Sequence, residues 1–123
     1  MQLNGLQLAA ILKAGKLMAG ADGEVKDEEL KVLALHLAKF NVATHQVDTL
    51  LNGADALESS DMIKVLSGLD KTAQKYVCGF LAVISLSDGD IADSEIKMWK
   101  LICTLCNFPT MTVREALEFW ANC

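Results

Sequence analysis

Asp22–Val42 reads DGEVKDEELKVLALHLAKFNV, and Asp88–Phe108 reads DGDIADSEIKMWKLICTLCNF. Laid on each other at an offset of 66 residues, the two stretches agree at 7 of 21 positions. The identities are Asp22/Asp88, Gly23/Gly89, Asp27/Asp93, Glu29/Glu95, Lys31/Lys97, Leu35/Leu101 and Asn41/Asn107. Val25/Ile91, Leu30/Ile96 and Glu24/Asp90 are conservative pairs, and the register runs on without a gap to Thr44/Thr110 and Val47/Val113. Self-similarity at a fixed offset is the signature of a repeated supersecondary unit. A duplicated helix–acidic loop–helix unit is therefore expected, with copies over residues 3–53 and 71–121.

Working outward, each copy carries apolar residues at helical spacing. Leu30, Leu33, Leu37 and Phe40 make one stripe, and Ile96, Trp99, Ile102 and Cys106 make its counterpart. A helix over about Leu3–Gly20 is apolar on most sides, with Lys13 and Lys16 marking a narrow solvated face. A short helix is expected over Thr44–Leu51, carrying Val47, Leu50 and Leu51 and stopped by Asn52-Gly53. Two more are expected over Asp61–Leu69, with Met62, Leu66 and Leu69 inward, and over Lys71–Ser87, burying Tyr76, Val77, Phe80 and Ile84. Pro109 forbids continuation of the helix that opens near Asp93. Thr112 is placed to cap a last helix that buries Val113, Ala116, Leu117 and Trp120. No stretch alternates with the period of a half-buried strand. The expectation is a single all-α domain over residues 1–123, a compact bundle of about seven helices.

Composition narrows the function classes. The chain has 123 residues, 52 % of them hydrophobic and 22 % charged, which suits one folded core and not a disordered segment. Eleven scattered Lys and Arg are outnumbered by sixteen acids, a net charge of −5. A nucleic-acid binder needs a basic stripe to neutralise phosphates, so neither nucleic acid nor an anionic lipid surface is expected as a partner. The longest uncharged apolar run, Tyr76–Leu86, falls short of the roughly 20 residues that a membrane-spanning helix needs. Ala19-Gly20-Ala21 imitates a signal-peptidase site, but the basic leading region is missing and Lys13 and Lys16 fall between the apolar stretch Leu6–Leu12 and that site. A cytoplasmic protein is expected. The four cysteines, three of them inside apolar helical patterns, fit reduced buried thiols better than a disulfide framework.

The twin loops concentrate nine acids: Asp22, Glu24, Asp27, Glu28, Glu29, Asp88, Asp90, Asp93 and Glu95. The spacing D-G-x-[VI]-x-D-x-E imitates the second half of a calcium-binding EF-hand loop, with Glu29 and Glu95 where the bidentate ligand would stand. Counting back, the leading ligand positions fall on Met18 and Gly20, and on Ile84 and Leu86. None of these offers a carboxylate, so a standard EF-hand is excluded. A weak or shared divalent-cation site using Asp22, Glu29, Asp88 and Glu95 stays open. The competing reading is helix punctuation: Gly23 and Gly89 end one helix, and Asp27 and Asp93 start the next. Carboxylates at such starts are favoured by orphan backbone N–H groups and the helix dipole, at about 0.3–1 kcal/mol each.

Leu17-Met18-Ala19-Gly20-Ala21-Asp22-Gly23-Glu24-Val25 with Glu29, the second Leu86-Ser87-Asp88-Gly89-Asp90-Ile91 with Glu95, and the intervening Asp61-Met62-Ile63 resemble the TerB-like family, helical domains associated with bacterial tellurite resistance. The resemblance covers most of the chain. It implies a bundle of about seven helices from a duplicated unit, with an acidic surface near the loops. It also implies involvement in metal- or oxyanion-stress responses or membrane-associated complexes; it does not imply an enzymatic activity.

Remaining chemistry-bearing residues read as structural. Cys103-Thr104-Leu105-Cys106 has CxxC spacing, but no second pair completes a zinc site and the pair falls inside a helix. His36 and His45 lack a partner acid at ligand spacing. Phe119 and Trp120 cannot face the same way, so one of them is a candidate for a contact patch. The expected function is a non-enzymatic interaction or regulatory module with no resident cofactor, contacting an unidentified protein or a second copy in a homodimer. The alternative is a metal-dependent enzyme or cation-binding protein using the four loop carboxylates.

Overall fold

Asn4 and Gln7 open the first helix by capping one another. The Gln7 N–H donates to Asn4 Oδ1 at 2.8 Å, and the Asn4 N–H donates to Gln7 Oε1 at 2.9 Å. This pair satisfies donors that a helix start leaves free, and α1 runs Gly5–Ala19. The computed structural model describes residues 3–19, 36–40, 42–85 and 93–122. Within them follow 3-10 turns at Ala38–Phe40 and Thr44–Gln46, then α2 (Val47–Ala56), α3 (Ser59–Ser67), α4 (Lys71–Ser85), α5 (Asp93–Leu105) and α6 (Val113–Ala121). No strand occurs among the described residues, and the chain is an all-helical bundle. Six α-helices are described against the seven or so expected. The stripe from Asp27 lies outside the described residues up to position 35, beyond which His36 and Leu37 are helical.

An apolar helix with little polar surface belongs at the centre of a bundle. Accordingly α1 packs on α2, α3, α4 and α5, and Ile11, Leu12, Ala14 and Met18 are fully buried. The inward sets of the other helices fall where their spacing puts them. Met62, Leu66 and Leu69 are buried, as are Val77, Phe80 and Ile84, Trp99, Ile102 and Cys106, and Ala116 and Trp120. Tyr76, Ile96, Val113 and Leu117, also expected inward, are instead half-buried at the edges of their stripes. The most extensive contact joins α4 to α6. There Gly79 meets Trp120 so closely that an added Cβ would lie 2.7 Å from the Trp120 Cβ and 2.9 Å from the Ala116 carbonyl oxygen. Trp120 in turn packs on Phe40 and Phe80 at centroid distances of 5.7 and 6.0 Å.

Helix ends are set by specific contacts. Asp70 caps α4, accepting from the Ala73 N–H at 2.7 Å. Gln74, 2 % exposed, donates through Nε2 to the carbonyls of Leu66 and Ser67 at the end of α3. Thr112 and Glu115 form a capping box that starts α6, as the Thr112 reading expects. The two 15-residue helices α1 and α4 start 66 residues apart, and so do α2 and α6.

Three local expectations are corrected. Asn52-Gly53 does not stop a helix: α2 continues through it to Ala56, because Gly53 faces α1 with Ala9 Cβ 3.7 Å from where its own Cβ would be. Lys13 and Lys16 do not line an open solvated face. They reach the end of α2, Lys13 Nζ donating to the Ala54 carbonyl at 3.5 Å and Lys16 pairing with Asp55. Cations there meet the negative end of the helix dipole. Finally, α5 ends before Pro109 acts. Asn107 takes φ 54°, and the N–H groups of Asn107 and Phe108 donate to the carbonyls of Thr104 and Cys103, a left-handed cap that closes the helix unaided.

Candidate functional site

Of the four loop carboxylates, Asp22, Glu29 and Asp88 lie outside the described residues, as do Val25 and Ile91. Glu95 lies in the first turn of α5 and is buried, 9 % exposed, while Asp93 at the helix start is exposed. Among the described residues no group of three or more His, Cys, Asp or Glu is placed to hold a metal.

The sequence does not announce what the structure brings together around α5. Cys78 on α4 and Cys103 on α5, 25 residues apart, place their Sγ atoms 3.9 Å from one another. Cys78 and Cys106 are fully buried, and Cys103 is half-buried. All three are free thiols. Contact with the Cys78 thiol, burial and the neighbouring sulfurs raise the Cys103 thiol well above its ordinary range. Burial, then Cys78, pushes Cys106 up to about 11. Thiolates are the nucleophiles and the metal ligands, so thiols held protonated near neutral pH fit packing, as the sequence reading expects. Trp99 belongs to the same cluster, its Nε1–H donating to the Cys78 carbonyl at 3.1 Å.

Cys103 also faces a groove of about 640 Å³ between α5 and the connection to α6. Its walls come from Trp99, Phe108, Pro109, Met111 and Val113, with Lys100 and Thr104 from α5. The groove exists because the Asn107 cap turns the chain back along α5, laying residues 108–113 beside the helix they have just left. A different flank of α5 carries Leu101 and Leu105, 51 % and 50 % exposed. With Leu6 they are the exposed large hydrophobics among the described residues.

The remaining candidates form no catalytic or metal constellation among the described residues. His36 meets Trp120 edge-on at 6.2 Å, and His45 is exposed in a 3-10 turn. Of the Phe119–Trp120 pair, Trp120 is buried, and Phe119 is half-covered by Tyr76 at 5.0 Å and by the Lys75 ammonium at 5.9 Å. That covering removes Phe119 as an open contact patch. No helix among the described residues is long and apolar enough to cross a membrane.

Fold and site thus define an all-helical bundle whose distinctive surface is α5 and the segment after it. Among solved structures the chain is similar to the crystal structure of protein of unknown function PG1108 from Porphyromonas gingivalis W83, with a TM-score of 0.88 and 42 % identity over 99 % of this chain and 92 % of that one. The chain belongs to the same family as that protein. No family model matches the sequence, and no curated protein does.

Proposed function

We propose that this chain is a non-enzymatic interaction or regulatory module of TerB-like type, cytoplasmic, and built from two copies of one helix–acidic loop–helix unit. Duplication is supported by the common 66-residue offset of α1 from α4 and of α2 from α6. The interaction reading is carried by one observation. Leu101 and Leu105 stand one turn apart, each about half exposed, on the same flank of α5. Adjacent apolar side chains left in water cost hydration free energy that burial against a partner recovers. The partner is another protein or a second copy of the chain, since the acidic excess disfavours nucleic acid. A link to metal or oxyanion stress follows from the family resemblance.

The test is site-specific crosslinking in cells, with a photoreactive residue at position 101 and a control at the exposed Lys64. Adducts specific to position 101, lost when Leu105 is also changed to Lys, are expected. Equal adducts at both positions, or adducts indifferent to Leu105→Lys, would discard the reading.

A second reading is a weak divalent-cation site, or a metal-dependent enzyme, using Asp22, Glu29, Asp88 and Glu95. The matched spacing of the four acids in the two copies of the motif supports it. Calorimetric titration with calcium, magnesium, manganese and zinc tests it. Stoichiometric heat abolished by Glu29→Gln with Glu95→Gln is the result it requires, and its absence leaves helix punctuation.

A further inference from the structure

The groove beside α5 differs in charge from the chain that forms it. Sixteen acids face eleven bases over the whole sequence, yet the groove's twelve lining residues include one cation, Lys100, and no carboxylate. Lys100 is exposed and has no ion pair among the described residues. The one lining thiol, Cys103, is held protonated by Cys78 and by burial, so it adds no negative charge near neutral pH. Trp99, Phe108 and Met111 give the groove an apolar wall, and Thr104 and Asn107 add hydrogen-bonding groups beside Lys100. A volume of about 640 Å³ lies within the range of small-molecule sites.

We propose that this groove binds a small amphipathic carboxylate, its hydrocarbon or aromatic body lying on Trp99, Phe108 and Met111 and its anionic head paired with the Lys100 ammonium. The two parts of such a ligand match the two parts of the site. A cationic head would meet Lys100 as a like charge. An uncharged head would keep the apolar contact and forgo the pairing. The site lies on a different flank of α5 from Leu101 and Leu105, so its failure would leave the interaction surface as it stands, and the converse holds.

Decanoate, decanol and decyltrimethylammonium, titrated below their aggregation concentrations into the isotope-labelled full chain, separate the heads. Decanoate should saturably shift the Trp99 indole N–H and the amides of residues 96–113. Decanol should bind more weakly and the cation most weakly. Lys100→Ala should lower decanoate affinity about threefold to fivefold, the scale of an exposed ion pair, while leaving decanol unchanged and with Lys100→Arg restoring it. Thr104→Trp, which places bulk at the groove mouth from an exposed position, should abolish both. The proposal is overturned by the absence of saturable shifts, by equal affinity for all three heads, or by shifts centred elsewhere on the bundle. Indifference to Lys100→Ala or Thr104→Trp would also overturn it, as would an apolar peptide outcompeting decanoate for the groove.

Discussion

The contact between α1 and α2 and the contact between α4 and α6 occupy equivalent places in the 66-residue register, but they are packed in opposite ways. In the first, Lys13 on α1 reaches over a small residue, Ala54, to its carbonyl oxygen. In the second, the position matching Lys13 is Gly79 and the position matching Ala54 is Trp120. There the bulk comes from the second helix, and the first has no side chain at all. A helix pair has a fixed volume to fill between its axes, and either partner can fill it. The difference teaches that positions matched by the register can exchange size across a helix contact, a long side chain on a small residue in one and a large residue on a glycine in the other. One contact carries an ion pair between Lys16 and Asp55 at its edge, and the other packs Trp120 against Phe40 and Phe80.

The comparison sharpens most where bulk is removed. Trp120→Ala should cost about 3–5 kcal/mol by denaturant titration, the usual range for deleting a large core aromatic. Gly79→Ala should cost about 1–3 kcal/mol by overpacking, since the clashing atoms are a Cβ and a backbone carbonyl, neither of which can swing aside. For the same reason Trp120→Ala should not rescue Gly79→Ala. Thr112→Ala, which removes the cap at the start of α6, should cost about 0.5–2 kcal/mol. At the other contact the sign reverses. Gly53→Ala should stabilise by about 0.5–1 kcal/mol, because Ala9 leaves room for a methyl and alanine is the better helix former. A destabilising Gly53→Ala would show that the two contacts are equally tight.

The thiols beneath α5 add a pH dependence. The Cys106 pKa is raised from 9.0 to about 11, so the folded state favours the protonated thiol. Stability from that thiol is fully present below pH 9 and is lost as pH rises through about 11. Thermal unfolding from pH 8 to 11 should fall more steeply for the parent than for Cys106→Ala.

Much of this architecture is legible in the chain. Periodicity finds most of the inward residues of α3 to α6, because burial on one face writes itself at helical spacing. It overreaches at the stripe edges, where Tyr76, Ile96, Val113 and Leu117 are half-buried. Thr112 is recognisable as a cap because its hydroxyl and the Glu115 three residues later are a local pair. Long-range juxtapositions are not legible. Whether Asn52-Gly53 breaks a helix depends on what lies opposite Gly53, and Ala9 is 44 residues away. Lys13 and Lys16 look solvated until α2 ends beside them. The α5 groove depends on the path of the chain after Asn107, for which a left-handed Asn two residues before Pro109 is the one available signal. The acidic turns themselves are plain in the sequence, and of their four candidate ligands only Glu95 falls among the described residues.

Transplanting one contact into the other tests the equivalence of the two halves directly. Ala54→Trp alone should destabilise the protein by overpacking, and adding Lys13→Gly, which recreates the Gly79–Trp120 arrangement between α1 and α2, should recover part of the loss. A double-mutant cycle showing a favourable coupling of about 1 kcal/mol or more is the predicted result. Strictly additive costs would contradict it, and with it the claim that one unit built both halves.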